Sequence, residues 1–186
     1  DHQIQYAAGE AFVCEEKADI AQPYAKLDMT SLYKDQAESV FRTFTLIDDQ
    51  TVEVTDEIKL TNAQSTVSWS VITKADVETD GKTAHLTLNG KHFYMQIISP
   101  TNATFTSRLA QNTSPKEYPI RNTTIIEANC TFGQPDATIK VRMSSRPFLK
   151  IAHGPYLQEV TTNGATFAFQ TSNPSFSFIE LKKKGE

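Results

Sequence analysis

The sequence predicts an all-β protein built as an antiparallel two-sheet β-sandwich. Three observations carry this. Apolar and polar residues alternate with period two through most of the chain, Asn-Gly, Asp-Gly and Pro-bearing turn signals separate the alternating runs, and no amphipathic helix longer than about two turns can be drawn. The 186 residues are 39% hydrophobic and 22% charged, which is enough apolar material for one medium domain, or one domain and a fragment.

Taken in order, Ala18 to Lys34 is the one stretch expected to be helical or irregular, because Pro23 and a mixed pattern interrupt it. Phe41 to Leu46 and Thr51 to Ile58 alternate on either side of Asp48-Asp49-Gln50, which predicts a hairpin whose second strand buries Val52 and Val54. Val67 to Ile72 carries Trp69, a natural core anchor. Asp80-Gly81 then turns the chain into AHLTLNGKHFYMQI, Ala84 to Ile97, so that four or five strands should follow one another as a meander between about 41 and 98.

That last hairpin has its register written in it. Asn89-Gly90 favours a two-residue type I′ turn, since both residues accept positive φ. Leu88 then faces Lys91, Thr87 faces His92, Leu86 faces Phe93 and His85 faces Tyr94. Leu86, Leu88, Phe93, Met95 and Ile97 are expected to share the core face, and His85, Thr87, His92, Tyr94 and Gln96 the other. The two histidines become diagonal neighbours, roughly 7 Å or less apart at Cβ.

Ser99-Pro100-Thr101-Asn102 breaks the meander, and Gln111 to Pro119 reads as a loop. Thr123 to Cys130 and Ala137 to Met143 then make a second long pair across Gly133-Gln134-Pro135-Asp136. Composition shifts after Arg146-Pro147-Phe148. An extended entry at His153 to Leu157, the turn Asn163-Gly164, Ala165 to Thr171 and Phe176 to Leu181 hold about three short strands. An immunoglobulin-like sandwich needs about seven, so a second domain, residues 149–186, reads as truncated, and the first domain as residues 1–148.

A net charge of -4 argues against a nucleic-acid surface, which needs clustered Lys and Arg; the basic run Lys182-Lys183-Lys184 reads as a solvated tail. No apolar stretch approaches the 18 or so residues of a membrane span, and no charged-then-apolar leader opens the chain, which therefore reads as already mature or already excised. Cys14 and Cys130 are either a disulfide or two small buried side chains, and they lack the spacing of a zinc motif. Four N-x-[S/T] matches start at Asn102, Asn112, Asn122 and Asn129; they matter only where a secretory pathway glycosylates them.

For chemistry, the sequence shows no G-x-S-x-G, no cysteine with a placed histidine and no Gly-rich phosphate loop. Carboxylates are scattered, with Glu15-Glu16 and Asp48-Asp49 pointing to opposite faces or to water. His85 and His92 are the best local pair, with metal or carbohydrate contact as the functional reading. Two solvent-facing polar residues is the reading preferred here, since the sequence shows no third ligand and no orienting carboxylate beside them. Tyr6, Tyr24, Tyr94 and Tyr118 could stack on sugar rings, or simply be half-buried strand aromatics.

The runs GEAFVCEEKADIAQPYAKL, VFRTFTLIDDQTVEVTDEIKL, STVSWSVIT, AHLTLNGKHFYMQIISP and YPIRNTTIIEANC resemble the C-terminal β-sandwich of the heparinase II/III-like polysaccharide lyases, a super-sandwich, over about residues 6–148. The matched features are Ala18-Asp19 with Tyr24, the Phe41-Arg42 strand, Val-x-Val-x-Asp ending at Asp56, and the Trp69 strand. The tail HGPYLQEVTTNGATFAFQTS is similar to the start of the fibronectin-III-like domain of purple-acid-phosphatase-type phosphoesterases, through Gly154 to Gln158; the phosphatase metal motifs are absent. The lyase resemblance implies a secreted or periplasmic protein that acts with a catalytic α/α toroid on acidic, uronic-acid-containing polysaccharide. It also implies a structural zinc held by two histidines and an aspartate.

Asp19 stands at that aspartate's place, but the histidine expected after the Trp strand falls on Ile72 or Thr73, and His2 is a poor match for the first. No cofactor and no catalytic residue is therefore expected in this chain, with Asp19, His85 and His92 the metal candidates and Tyr94 and His92 the carbohydrate candidates. The expected role is a non-catalytic lyase-associated sandwich without enzymatic activity of its own. The alternatives are a free-standing carbohydrate-binding module or an accessory part of a secreted phosphoesterase.

Overall fold

The computed structural model describes residues 8–62, 65–112, 120–149, 151–161 and 164–171, the backbone alone for 151–168. The chain divides into two compact units, Asp1–Pro147 and Phe148–Glu186. In the first, the strands run in chain order as β1 (Phe12–Lys17), β2 (Tyr24–Asp28), β3 (Ala37–Leu46), β4 (Thr51–Leu60), β5 (Thr66–Thr73), β6 (Asp76–Asp80), β7 (Thr83–Leu88), β8 (Lys91–Ser99), β9 (Phe105–Leu109), β10 (Thr124–Thr131) and β11 (Asp136–Ser144). The described part of the second unit is one antiparallel pair, β12 (Ile151–Thr161) with β13 (Gly164–Thr171). The strand expected at Phe176 to Leu181 lies outside the described residues, as does Asn163 of the expected turn.

The first unit is an antiparallel β-sandwich. An eight-stranded sheet in the order β1-β2-β3-β4-β11-β8-β7-β6 lies against a three-stranded sheet in the order β5-β10-β9. The β3–β4 hairpin forms as expected across residues 48–50, with Phe44 opposite Val54 and Leu46 opposite Val52. Val54 is buried, but Val52 only half so. The simple meander does not hold. β5 leaves for the small sheet, where Trp69 meets Phe105 at 6.3 Å between ring centroids. β4 and β8 are instead joined by β11, which slots between them. The expected β10–β11 pair is likewise split, one strand to each sheet, because each buries one apolar row against the same core from opposite sides.

Ala18 to Lys34 is not helical throughout. It holds strand β2 and a four-residue 3-10 helix, Thr30–Tyr33. Pro23 sits just before β2, where the chain is already extended. Gly9 fixes the start of this region: a Cβ there would lie 2.7 Å from the Leu32 Cα, too close for any other residue. Glu10 and Ser31 seal the same contact, the Glu10 amide donating to Ser31 Oγ at 2.8 Å and the hydroxyl donating back to the Glu10 carbonyl.

The core takes Ala84, Leu86, Met95, Ile97, Ile139 and Val141 from the large sheet and Trp69, Phe105, Ile126, Ala128 and Cys130 from the small one. Its members come from the β11-β8-β7 half of the large sheet and none from β1 to β4. On that other half the same face carries Phe44 and Leu46, 37% and 42% exposed. There the packing is partly ionic: Arg42 lies opposite Asp56 and donates from Nε to Oδ1 and from Nη2 to Oδ2, each at 2.6 Å. Leu88 and Phe93, expected in the core, are 48% and 39% exposed. They have the right parity but sit at the hairpin tip, with Leu86, Met95 and Ile97 of the same row buried further in. Cys14 is exposed and Cys130 buried, and both are free thiols.

Ile97→Ala should cost about 2–5 kcal/mol, and Leu88→Ala under about 1 kcal/mol, measured by urea denaturation; equal costs would mean that the tip is as well packed as the centre. Asp56→Ala, which strands the Arg42 guanidinium in a half-buried site, should cost about 3 kcal/mol in the same assay.

Candidate functional site

The polar face of the large sheet is set by two tight turns. Asn89 and Gly90 take φ of 51° and 73°, as a type I′ turn requires, and β7 and β8 pair in the expected register. At the preceding turn the two loop residues are Gly81 and Lys82, not Asp80 and Gly81. Gly81 has φ 54°, and Asp80 pairs with Thr83. Glu78 thereby comes to stand opposite His85.

One row of partners now crosses five strands: Thr51, Ser144, Tyr94, His85 and Glu78. At its buried end Thr51 Oγ1 bonds Ser144 Oγ at 3.1 Å. At its open end three rings lie side by side. His85 and Tyr94 are 4.8 Å apart with planes 5° from parallel, and His85 and His92 are 5.1 Å apart at 24°. His85 Nε2 and His92 Nδ1 are within hydrogen-bond distance, 3.0 Å, and Thr87 Oγ1 is 3.4 Å from the same His92 nitrogen. Glu78 Oε2 is 3.7 Å from His85 Nδ1. The orienting carboxylate that local sequence did not show is therefore present on the next strand.

The adjacent row carries charge. Glu53 lies opposite Arg142, which lies opposite Gln96. Arg142 Nε donates to Glu53 Oε2 at 2.8 Å and Lys140 Nζ reaches Oε1 at 3.0 Å. Burial alone would push the Glu53 carboxyl up, but the bonds from Lys140 and Arg142 outweigh it and hold it below the ordinary carboxylate range. Both cations thus pair with one carboxylate of the same sheet.

The remaining candidates do not converge on this face. Asp19 is an exposed bend residue after β1. Ile72 and Thr73, where the resemblance leads one to expect a histidine, lie on β5 of the other sheet; Ile72 is 66% exposed with no donor atom, and Thr73 Oγ1 accepts from the Ala75 amide at 3.1 Å. Among the described residues no group of three or more His, Cys, Asp or Glu side chains is placed to hold a metal ion. Tyr24 donates to Glu15, and that bond raises its pKa; Tyr6, Tyr118 and His2 lie outside the described residues. Asp48 and Asp49 both face Arg146, at 3.3 and 3.1 Å.

No family model and no curated protein matches the sequence. Solved structures do match the fold. A heparan sulfate lyase HepC mutant from Pedobacter heparinus superposes with a TM-score of 0.55 at 8% identity, over 87% of this chain and 28% of that one. The fold is a heparinase-like β-sandwich. A heparinase III, the BT4657 gene product, gives 0.55 at 12% identity over 87% and 27%, and another heparinase III structure gives 0.53 at 14% over 87% and 26%. The chain thus spans little more than a quarter of the length of these structures. Among the described residues no helix is long and apolar enough to cross a membrane.

Because the folded-state pKa of Glu53 is depressed, its contribution to stability is full above the unfolded value near 4.5 and is lost as pH falls through the lower folded value. Glu53→Gln should remove that part of the acid sensitivity, so thermal melts of variant and parent from pH 6 downward should converge toward the acid end. Parallel curves would mean that the Lys140 and Arg142 bonds do not tune this carboxyl.

Proposed function

We propose that this chain is the non-catalytic β-sandwich part of a secreted or periplasmic polysaccharide lyase that acts on acidic, uronic-acid-containing glycans, with catalysis residing in a toroid domain beside it. The observation that carries this is the heparinase-like fold over 87% of the chain, matched to about a quarter of much longer heparinases. Two features of the described residues support a backing role. Lys140 and Arg142 both pair with Glu53, so the cations next to the polar row are engaged by a carboxylate of the same sheet. Phe44 and Leu46 stay open on the inward face of β3, as a surface that a further domain covers.

A second reading, a carbohydrate-binding module, is favoured by the Tyr94, His85 and His92 stack, since flat rings on an exposed sheet suit sugar faces. The Phe148–Glu186 unit keeps its fibronectin-III-like reading within the proposal, carried by Gly154 to Gln158 of the sequence.

Isothermal titration of the chain with heparin, chondroitin and alginate oligosaccharides separates the two readings. The scaffold predicts no heat of binding; saturable binding that is lost in Tyr94→Ala and His92→Ala supports the module instead. Absorbance near 232 nm from an unsaturated uronate should not grow when the chain alone is incubated with these glycans. Growth would overturn the non-catalytic reading.

A further inference from the structure

The 3.0 Å between His85 Nε2 and His92 Nδ1 fits a shared proton, and it fits something else as well. Two nitrogens each about 2.1 Å from one metal ion span about 3.0 Å at a right angle and about 3.4 Å at the tetrahedral angle. His85 stacks on Tyr94 at 4.8 Å and meets His92 edge to edge, the facing nitrogens lying between ring centroids 5.1 Å apart. The second nitrogen of His85 faces the Glu78 carboxylate at 3.7 Å, the outer arrangement that typically orients a metal-binding histidine. Thr87 Oγ1 is 3.4 Å from His92 Nδ1 and offers a hydroxyl to the same spot. His92 is exposed, so the remaining coordination positions open to water.

We propose that His85 and His92 form a surface site for a borderline divalent transition metal such as Zn²⁺, Ni²⁺ or Cu²⁺, with Glu78 orienting His85. The site differs from the family's implied zinc set, which would draw on Asp19 and the position of Ile72 or Thr73. It also stands independently of the lyase reading. The proton balance is simple. Glu78 beside Nδ1 favours the His85 tautomer protonated there, which leaves Nε2 to accept from His92 Nδ1–H. When the ion enters, that proton moves to His92 Nε2 and both facing nitrogens present lone pairs. With both rings neutral, no proton is released to solvent.

Two imidazoles select borderline metals over Mg²⁺ and Ca²⁺, which prefer oxygen ligands, and should rank Cu²⁺ above Ni²⁺ and Zn²⁺. The test is isothermal titration of the full chain, stripped with chelator, against Ni²⁺ and Zn²⁺ in a non-coordinating buffer. One ion per chain is expected, with His85→Ala and His92→Ala each weakening binding at least tenfold and Glu78→Gln weakening it about tenfold. The double variant His2→Ala, His153→Ala removes the chain's other two histidines and should bind as the parent does. Unchanged melting temperatures confirm that the surface variants fold. Absence of binding by the parent overturns the proposal, as does parent-like affinity in both His85→Ala and His92→Ala, or loss of binding in the His2, His153 double variant alone.

Discussion

The parity of the β7–β8 hairpin governs both faces of the large sheet. Side chains alternate strictly, so a slip of one residue at Asn89-Gly90 would turn Leu86, Met95 and Ile97 to water and bring His85 and Tyr94 into the core. The turn prevents this because its two residues sit at φ 51° and 73°, a conformation that Asn and Gly reach at low cost and most residues do not. The aromatic stack on the outside is therefore a by-product of the same constraint that builds the core inside. β11 extends that constraint across the sheet, since its register with β8 places Ser144 beside Tyr94 and its register with β4 places Ser144 beside Thr51.

The large sheet is wider than its cover, and charge fills part of the difference. Over β7, β8 and β11 the inner face is apolar and closed by the small sheet. Toward β3 and β4 it is stabilised by the two-bond Arg42–Asp56 pair, in which each partner offsets the other's desolvation. That bond keeps the Arg42 guanidinium firmly charged, its pKa raised by Asp56 against the effect of burial. On the opposite face of β4, Glu53 pairs with Lys140 and Arg142. β4 is thus a central strand that is polar on one face and ionic in places on the other.

Local pattern made the strands legible and left their neighbours obscure. Period-two alternation and the Asn-Gly turn contain the register of β7 and β8, because both act over a dozen residues. The insertion of β11 between β4 and β8 is a long-range pairing, and nothing in Ala137 to Met143 alone distinguishes it from a partner of β10. Edge strands such as β1, whose residues are all exposed, lack the alternation that announces a buried face. The face of Leu88 and Phe93 was readable, but the reach of the covering sheet was not. Glu78 shows how turn placement chooses a partner: the loop is Gly81-Lys82, which puts Glu78 opposite His85, whereas a loop at Asp80-Gly81 would have put Asp76 there.

A shared sandwich says how a chain packs and leaves open what its surface does, since one architecture hosts many sites. Here the likeness to solved structures is one of fold, whereas the His85, His92 and Glu78 cluster draws its argument from distances within three consecutive strands. The two meet in rigidity. β6, β7 and β8 are held by two tight turns, and the inner residues of β7 and β8 are among the most buried in the molecule, so the outer rings of this hairpin pair stand on a fixed platform. A weak ligand set gains most from such pre-ordering, because the entropy of placing the rings has been met by folding. That is why a polar cluster of only a few side chains on this face deserves a chemical reading, while equally polar residues on the exposed edge strand β1 do not.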